Sequence, residues 1–595
     1  MNQTGASRIV EALQEGNVRC VFGLPGTQTV ELFEALRLSG LRTVAATNEL
    51  SATFMAGGWA RMTCEPGVVL TIAGPGFAWA LPGLAEARLD SVPLLHITGG
   101  PGGGIGRRFR QQELDQAAIA ASLVKDVIEA DSHSDPGVAV LDGLLLARSG
   151  EPGPVLFQVS QTTLGRELDA GILDPPSTSS VNHDALEEAC SRVRLARRPV
   201  LLVGQGVNGH THDLRAVVDQ LKAPVLTTPS ARGVIPEDHP CNLAFDPLAG
   251  SIGEINALVE SCDLVLAIGC KLGHGGTSGF ELKLPEDRLI HIDASAGVIG
   301  ANYPVSLGVV ADAGDLLRAL LSSSLSASAW TANELETWRI RASVRPPRMP
   351  EPRVAGTSDG DARSFFQALR RALPADAVLV LDSGLHQVLA RRYFSVLAPG
   401  GLILPMDLQS MGFAIPTAIG AQLAVPDRPV VALLGDGGFA MTAMELLTAI
   451  KERTPLVAIV FVDGAFGQIR MEQLANYGAS HAVTLQNPDL SLLTEALGAR
   501  YELVGDIDIE TAVRAALSNS GVTVIEVPVG DTLATHRVVA FARGREATRR
   551  VAGPRVFRSI ANAFRRLGRA IGYAVVAGTP TASKITVATE GMPWP

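Results

Sequence analysis

The chain has 595 residues, 47% of them hydrophobic and 18% charged, with a formal net charge of −10. That length exceeds what one core can organise and implies three or four domains, the composition excludes a largely disordered chain, and the acidic balance gives nucleic acid no electrostatic footing. Small molecules and further copies of the same chain are the expected partners, and six scattered cysteines without a CxxC pair suit free thiols in a reducing cytoplasm.

The opening stretch "MNQTGASRIVEALQEG" reads as an amphipathic helix, without the basic start and unbroken apolar run of an export signal. After it, "VRCVFGL", "LRTVAAT", "GVVLTIA", "VPLLHIT" and "GPVLFQVS" are strand candidates separated by helical stretches. Then "LDPPSTSSVNHD" reads as a linker. A second series follows, with "RPVLLVG", "APVLTT", "DLVLAIG" and "RLIHIDA", and closes on a helical piece leading into a proline-rich connector at "RPPRMPEP". A third carries "AVLVLDSG", "PVVALLGDG", "LVAIVFVDG" and "TVIEVPV". Alternating apolar runs and helices predict an α/β fold with three doubly wound parallel-sheet domains, over 1–170, 184–322 and 361–535. Every apolar run is well short of the roughly 18 residues a membrane span needs. Residues 540–595 differ, with Phe557, Ile560, Phe564, Leu567 and Ile571 on a helical stripe among Arg555, Arg558, Arg565, Arg566 and Arg569. Such a basic amphipathic tail can touch a membrane surface or an acidic partner; a C-terminal helix packing on the protein's own dimer, or a frayed end, is the plainer reading.

Chemistry concentrates in the third series. In "VVALLGDGGFAMTAMELLTAI" a strand ends in the glycine turn of Gly435, Asp436, Gly437 and Gly438 and enters a helix. Small residues at a strand's C-terminal edge let backbone N–H groups approach phosphate oxygens, and the helix start adds its positive end. The next parallel strand, "TPLVAIVFV", returns to the same edge and delivers Asp463. Two carboxylates with carbonyl and phosphate oxygens suit a hard divalent cation, Mg²⁺ or Ca²⁺. In the first series, "TVAATNELSATFMAGGWAR" sets Glu49 where a strand meets a helix, a place that helix-dipole preference alone also explains.

The stretch from GDG to "VDGAFG" resembles the diphosphate-and-metal motif of the thiamine diphosphate (ThDP) enzymes, specifically the acetolactate synthase-like and 2-oxo acid decarboxylase group. That resemblance implies that Asp436, Asp463 and the Ala465 carbonyl hold Mg²⁺, with Gly435, Gly437, Gly438, Phe466 and Gly467 at the cofactor. The family has Asn where this chain has Val462, ahead of the ligand position. "FGLPG", "GPG" and "DSVPLLHITG" follow the order of the family's pyrimidine-binding domain, which implies cofactor contacts for Gly26 and Gly74. It makes Glu49 the acid that hydrogen-bonds the aminopyrimidine and favours the imino form, whose nitrogen deprotonates the thiazolium carbon. Burial is expected to raise the carboxyl pKa of Glu49. "LQSMGFAIPTAIG" makes Met411 the apolar wedge that bends the cofactor and the Gln409 carbonyl the acceptor for its 4′-amino group. "DSGLHQ" resembles the family's Asp-x-Gly-x-His-Gln, which implies that Gly384, His386 and Gln387 lie near the diphosphate, with a core or surface histidine as the other reading of His386. "FRQQELDQ" offers Gln112 to the substrate.

Several positions depart from the family. "FAW" after "GPG" puts Trp79 near the cofactor or a subunit interface, or in a core; Asn48 replaces a frequent His. The paired histidines of pyruvate decarboxylases are absent, and "CKLGHGGTSGFELKLP" lacks the arginine clamp of FAD-bound acetolactate synthases, so FAD is not expected. The resemblance implies decarboxylation of a 2-oxo acid with carboligation to a second carbonyl, by a homodimer or homotetramer whose cofactor lies between subunits. The alternatives are a non-ligating decarboxylase and an inactive ThDP-binding paralogue, against which Glu49, Asp436 and Asp463 argue.

Overall fold

The protein is described by a computed structural model over residues 3–100, 111–168, 183–343, 351–505 and 507–530. Most of the linker read at 173–184 and all of the basic tail at 540–595 lie outside the described residues. All described residues but 351–352 and 466–484 belong to one compact unit.

Among the described residues this unit carries three large sheets of six, five and seven strands. The first runs Arg42–Ala45, Cys20–Gly23, Gly67–Thr71, Leu94–Gly99, Pro154–Val159, Val127–Glu129, all parallel. Its central strands are buried from end to end, as strands covered on both faces must be. The opening helix, Gly5–Glu15, packs Ile9 and Leu13 with Val140 and Leu144 of helix Pro136–Arg148 on one face. Helices Glu49–Thr63 and Pro75–Leu89 cover the other with Phe54, Met55 and Leu84.

The second sheet, in the order Val225–Thr227, Pro199–Val203, Leu264–Ile268, Leu289–Asp293, Leu307–Val310, is also all parallel and closes around its own core. The third runs Arg353–Val354, Val522–Gly530, Leu456–Val462, Val430–Gly435, Val378–Leu381, Leu402–Ile403, with Arg500–Leu503 also beside Val522–Gly530. Parallel pairing holds except at Arg353–Val354, an antiparallel edge strand. The α/β architecture with parallel sheets is therefore the one expected. Five strands of these sheets escape the reading of apolar runs: Val127–Glu129, Leu307–Val310, Arg353–Val354, Leu402–Ile403 and Arg500–Leu503. Each is only two to four residues long.

The first and third sheets share one core. Helix Glu49–Thr63 crosses helix Ala414–Ala424 so closely that a Cβ on Gly58 would stand 2.1 Å from the Thr417 carbonyl oxygen and one on Gly420 1.9 Å from that of Met55. Phe54 meets Phe413 edge to face at 5.2 Å beside the crossing. One buried ion pair, Asp246 with Arg391 at 2.9 Å, ties the middle to the third domain; beside it Arg232, paired with Glu237 at 2.6 Å, donates to the Arg391 and Phe394 carbonyls at 3.1 and 2.7 Å. The second compact unit contains helix Gly467–Tyr477, ended by left-handed Gly478. Within it the Phe466 N–H donates to the Val483 carbonyl at 2.8 Å and the Gln473 side chain brackets His481.

Candidate active site

Register decides which side chains share an edge of the third sheet. Leu381 pairs with Leu433, and Gly435 with Phe461, so three neighbouring strands release Asp382, Asp436 and Asp463 at the same C-terminal edge. Asp436 is 3% exposed. Its Oδ1 accepts the Gly437 N–H at 2.9 Å, and its Oδ2 accepts the Gly464 N–H at 2.8 Å and the Asn487 amide at 2.7 Å. Asp463 accepts the Ala465 N–H at 3.2 Å across left-handed Gly464. Asn487, far along the chain in no motif, is a neighbour of the site that spacing cannot reveal.

Below the glycine turn lies a polar floor. His386 is buried and donates from Nε2 to the Asp382 carbonyl at 2.9 Å; burial, partly offset by that carbonyl, pushes its pKa down to about 4. A Cβ on Gly384 would come within 2.8 Å of its ring and one on Gly435 within 3.4 Å, so the histidine underlies the glycines. Asp382, fully buried, is pushed up to about 6 by desolvation against the backbone N–H groups it accepts. These come from Ser383 at 2.8 Å and from Gly412 and Ala414 at 3.0 Å each, which fixes the loop around Met411. A Cβ on Gly438 would stand 3.1 Å from the same carboxylate. Gln387 donates to the Pro405 carbonyl at 3.2 Å. Gln409 has φ 62, a left-handed conformation unusual for a side-chain-bearing residue, and its amide donates to the Pro405 and Met406 carbonyls at 2.8 Å each.

At the C-terminal edge of the first sheet, Glu49 begins its helix behind the cap made by Asn48, which accepts the Ser51 N–H at 2.8 Å. The carboxylate rests on the Gly74–Gly76 turn, where a Cβ on Gly76 would lie 3.0 Å from Glu49 Oε1. Within the chain Glu49 is half-buried rather than enclosed. Gly74 is left-handed at φ 67 and leaves no room for a side chain: its Cβ would meet Gln112 at 2.8 Å. Gly26 is extended and faces Ile72 at 2.2 Å from a built Cβ. Two glutamines absent from the sequence reading hold this turn. Gln28 accepts the Ala73 N–H at 2.9 Å and donates to Gln112 at 3.1 Å; Gln116 accepts the Gly74 N–H at 3.0 Å. Buried Glu445 accepts the Thr47 N–H at 3.1 Å and bonds its hydroxyl, anchoring the start of the Glu49 helix to the third domain.

These donor sets fit a diphosphate with a hard cation. Two acids and a carbonyl sit where N–H groups are free of side-chain bulk, and among the described residues no three His, Cys, Asp or Glu side chains gather as an all-protein metal cage. Phosphate oxygens are the natural remaining ligands. A separate cleft of about 330 Å³ lies at the middle sheet's edge, between Gln205, Gly206, Asp293 and Lys271. Lys271 there pairs with Glu151 at 2.8 Å, and burial pushes Asp293 up to about 6.

Three family descriptions match in succession: the thiamine pyrophosphate enzyme N-terminal TPP binding domain over residues 3–119, the central domain over 186–320 and the C-terminal TPP binding domain over 382–527. The chain belongs to the thiamine diphosphate-dependent enzymes. It is 31% identical to the acetolactate synthase large subunit of Corynebacterium glutamicum, over 83% of this chain and 81% of that one. It is also 31% identical to a probable 2-ketoarginine decarboxylase of Pseudomonas aeruginosa, over 88% and 94%. The acetolactate synthase isozyme 2 large subunit of Escherichia coli is 28% identical, over 89% and 96%. It is thus an enzyme of the acetolactate synthase-like group, and thiamine diphosphate is its cofactor. No helix among the described residues is long and apolar enough to cross a membrane.

Proposed function

We propose that this enzyme decarboxylates a 2-oxo acid and joins the remaining acyl unit to a second carbonyl, using thiamine diphosphate and Mg²⁺. The observation that carries the reading is the delivery of Asp436 and Asp463 to one edge over a side-chain-free glycine turn. Asp436, Asp463 and the Ala465 carbonyl would hold the cation, and Gly437 and Gly438 the diphosphate. Glu49 would hold and return a proton at the aminopyrimidine, Met411 would press the two rings together, and Gln112 would meet the substrate. When bound, the cofactor supplies the carbon nucleophile and electron sink that decarboxylation of a 2-oxo acid requires.

A homodimer or homotetramer completes the site in this reading. Half-buried Glu49 then gains its cover from a second copy, and the exposed Trp79, Met441, Met444 and Leu447 supply apolar contact for it. No FAD is assigned to the middle cleft, on the missing arginine clamp. The domain boundaries read from the sequence, a cytoplasmic location and the small-molecule substrate class belong to the same reading.

The second reading, a decarboxylase that releases an aldehyde, is supported by the 31% identity to the Pseudomonas relative named a probable 2-ketoarginine decarboxylase. Incubating the protein with thiamine diphosphate, Mg²⁺ and a panel of 2-oxo acids separates the two. Release of CO₂ with a coupled hydroxyketone is the expected result; CO₂ with free aldehyde alone would transfer the assignment to the decarboxylase.

A further inference from the structure

Glu86 takes no part in the motifs above, yet it is 1% exposed in the last turn of helix Pro75–Leu89. Its Oε2 accepts the Ser410 N–H at 3.1 Å, while its Oε1 is buried with no hydrogen-bond partner. Asp90, four residues on, accepts the N–H groups of Met406 at 3.2 Å and Asp407 at 3.1 Å and pairs with Arg61 at 2.8 Å. From the other side Asp382 takes Gly412 and Ala414. Three buried carboxyls therefore hold the loop that carries Gln409 and Met411 by its backbone.

Glu86 has a particular place among them. The Ser410 N–H and the Gln409 carbonyl belong to one peptide unit, which is planar and trans, so its N–H and C=O point in opposite directions. Fixing one aims the other. An acceptor on the N–H also polarises the unit and strengthens its carbonyl as an acceptor. The left-handed φ of 62 at Gln409 costs free energy and persists only where surroundings impose it.

We infer that Glu86 is a positioning residue that aims and polarises the Gln409 carbonyl toward the 4′-amino group of the cofactor. The inference rests on the proposed thiamine diphosphate chemistry and on the reading, implied by the family resemblance, of the Gln409 carbonyl as acceptor for the cofactor's 4′-amino group. Burial and the neighbouring Asp90 raise the Glu86 pKa, opposed by Ser410 and Arg61.

The test compares binding of thiamine diphosphate and of its 4′-deamino analogue, each with Mg²⁺, to the full chain and to Glu86→Leu and Glu86→Gln. Wild type is expected to prefer the amino cofactor by about tenfold or more, the worth of a hydrogen bond to a strong acceptor. In Glu86→Leu that preference falls to within about threefold of unity, and in Glu86→Gln, which keeps an acceptor oxygen, most of it returns. Wild type without the preference would strike down the Gln409 reading and this inference with it; a preference undiminished in Glu86→Leu would overturn the role of Glu86 alone. Should Glu86→Leu not fold, amide hydrogen exchange on wild type decides: slow exchange at Ser410 supports the inference, and exchange as fast as in an open loop overturns it.

Discussion

Replacing one oxygen of Glu49 by nitrogen keeps its shape and removes its proton, so Glu49→Gln is expected to lower turnover by about 10²–10⁴-fold with cofactor affinity changed far less, as CO₂ release and a binding titration would read. Beneath the glycine turn two fully buried groups respond to pH in opposite senses. His386 is pushed down to about 4 from 6.5, so between those values the unfolded chain binds a proton that the folded chain refuses, and stability rises with pH. Asp382 is pushed up to about 6 from 3.8, so the folded chain keeps a proton that the unfolded chain has lost, and stability falls with pH over nearly the same window. Each effect is on the order of 3 kcal/mol. Relative to wild type, His386→Gln is expected to turn the stability slope between pH 4.5 and 6.5 downward and Asp382→Asn to turn it upward, as urea midpoints would report. The places of Glu49 at a strand-to-helix junction and of Asp436 and Asp463 at one sheet edge were legible because each follows an apolar run read as a strand. Gln28, Gln116, Asn487 and Glu86 were not, because each reaches its partner across at least 42 residues of chain through contacts that exist only once sheets and helices have packed.

The helices and long strands followed from apolar periodicity, since a strand buried on both faces writes an unbroken apolar run into the sequence. Marginal strands such as Leu307–Val310, with two exposed residues in four, have no such run and take their form from the neighbour they pair with. Equally invisible was the crossing of helices Glu49–Thr63 and Ala414–Ala424, because glycines at Gly58 and Gly420 read as helix weakeners until a second backbone is seen to occupy the space of their missing Cβ atoms. Adding that atom at Gly420 forces the backbones apart at a point where they nearly touch. Gly420→Ala is therefore expected to cost about 1–3 kcal/mol, despite the better helix propensity of alanine, and thermal unfolding would show the lowered midpoint.

The buried ions of Arg232, Glu237, Asp246 and Arg391 join the middle sheet's loops to the helix that begins near His386. Asp246 is held well below the usual carboxylate range by Arg391 and Arg232, against its own desolvation. Removing it leaves two buried guanidinium groups short of charge, so Asp246→Ala is expected to destabilise by about 3–5 kcal/mol, measurable by denaturant titration. The core shared by the first and third sheets also sets a timetable for biosynthesis. The first sheet is complete in sequence at Val159, yet the apolar face formed by Phe54, Met55 and Ala56 has its partner only when Ala414–Ala424 leaves the ribosome. Roughly 250 residues of translation intervene, some tens of seconds at about 5–20 residues per second. During that interval the nascent chain displays a sticky half-core, and a fragment ending after the first sheet is expected to aggregate or be captured by a chaperone where the whole chain stays in solution.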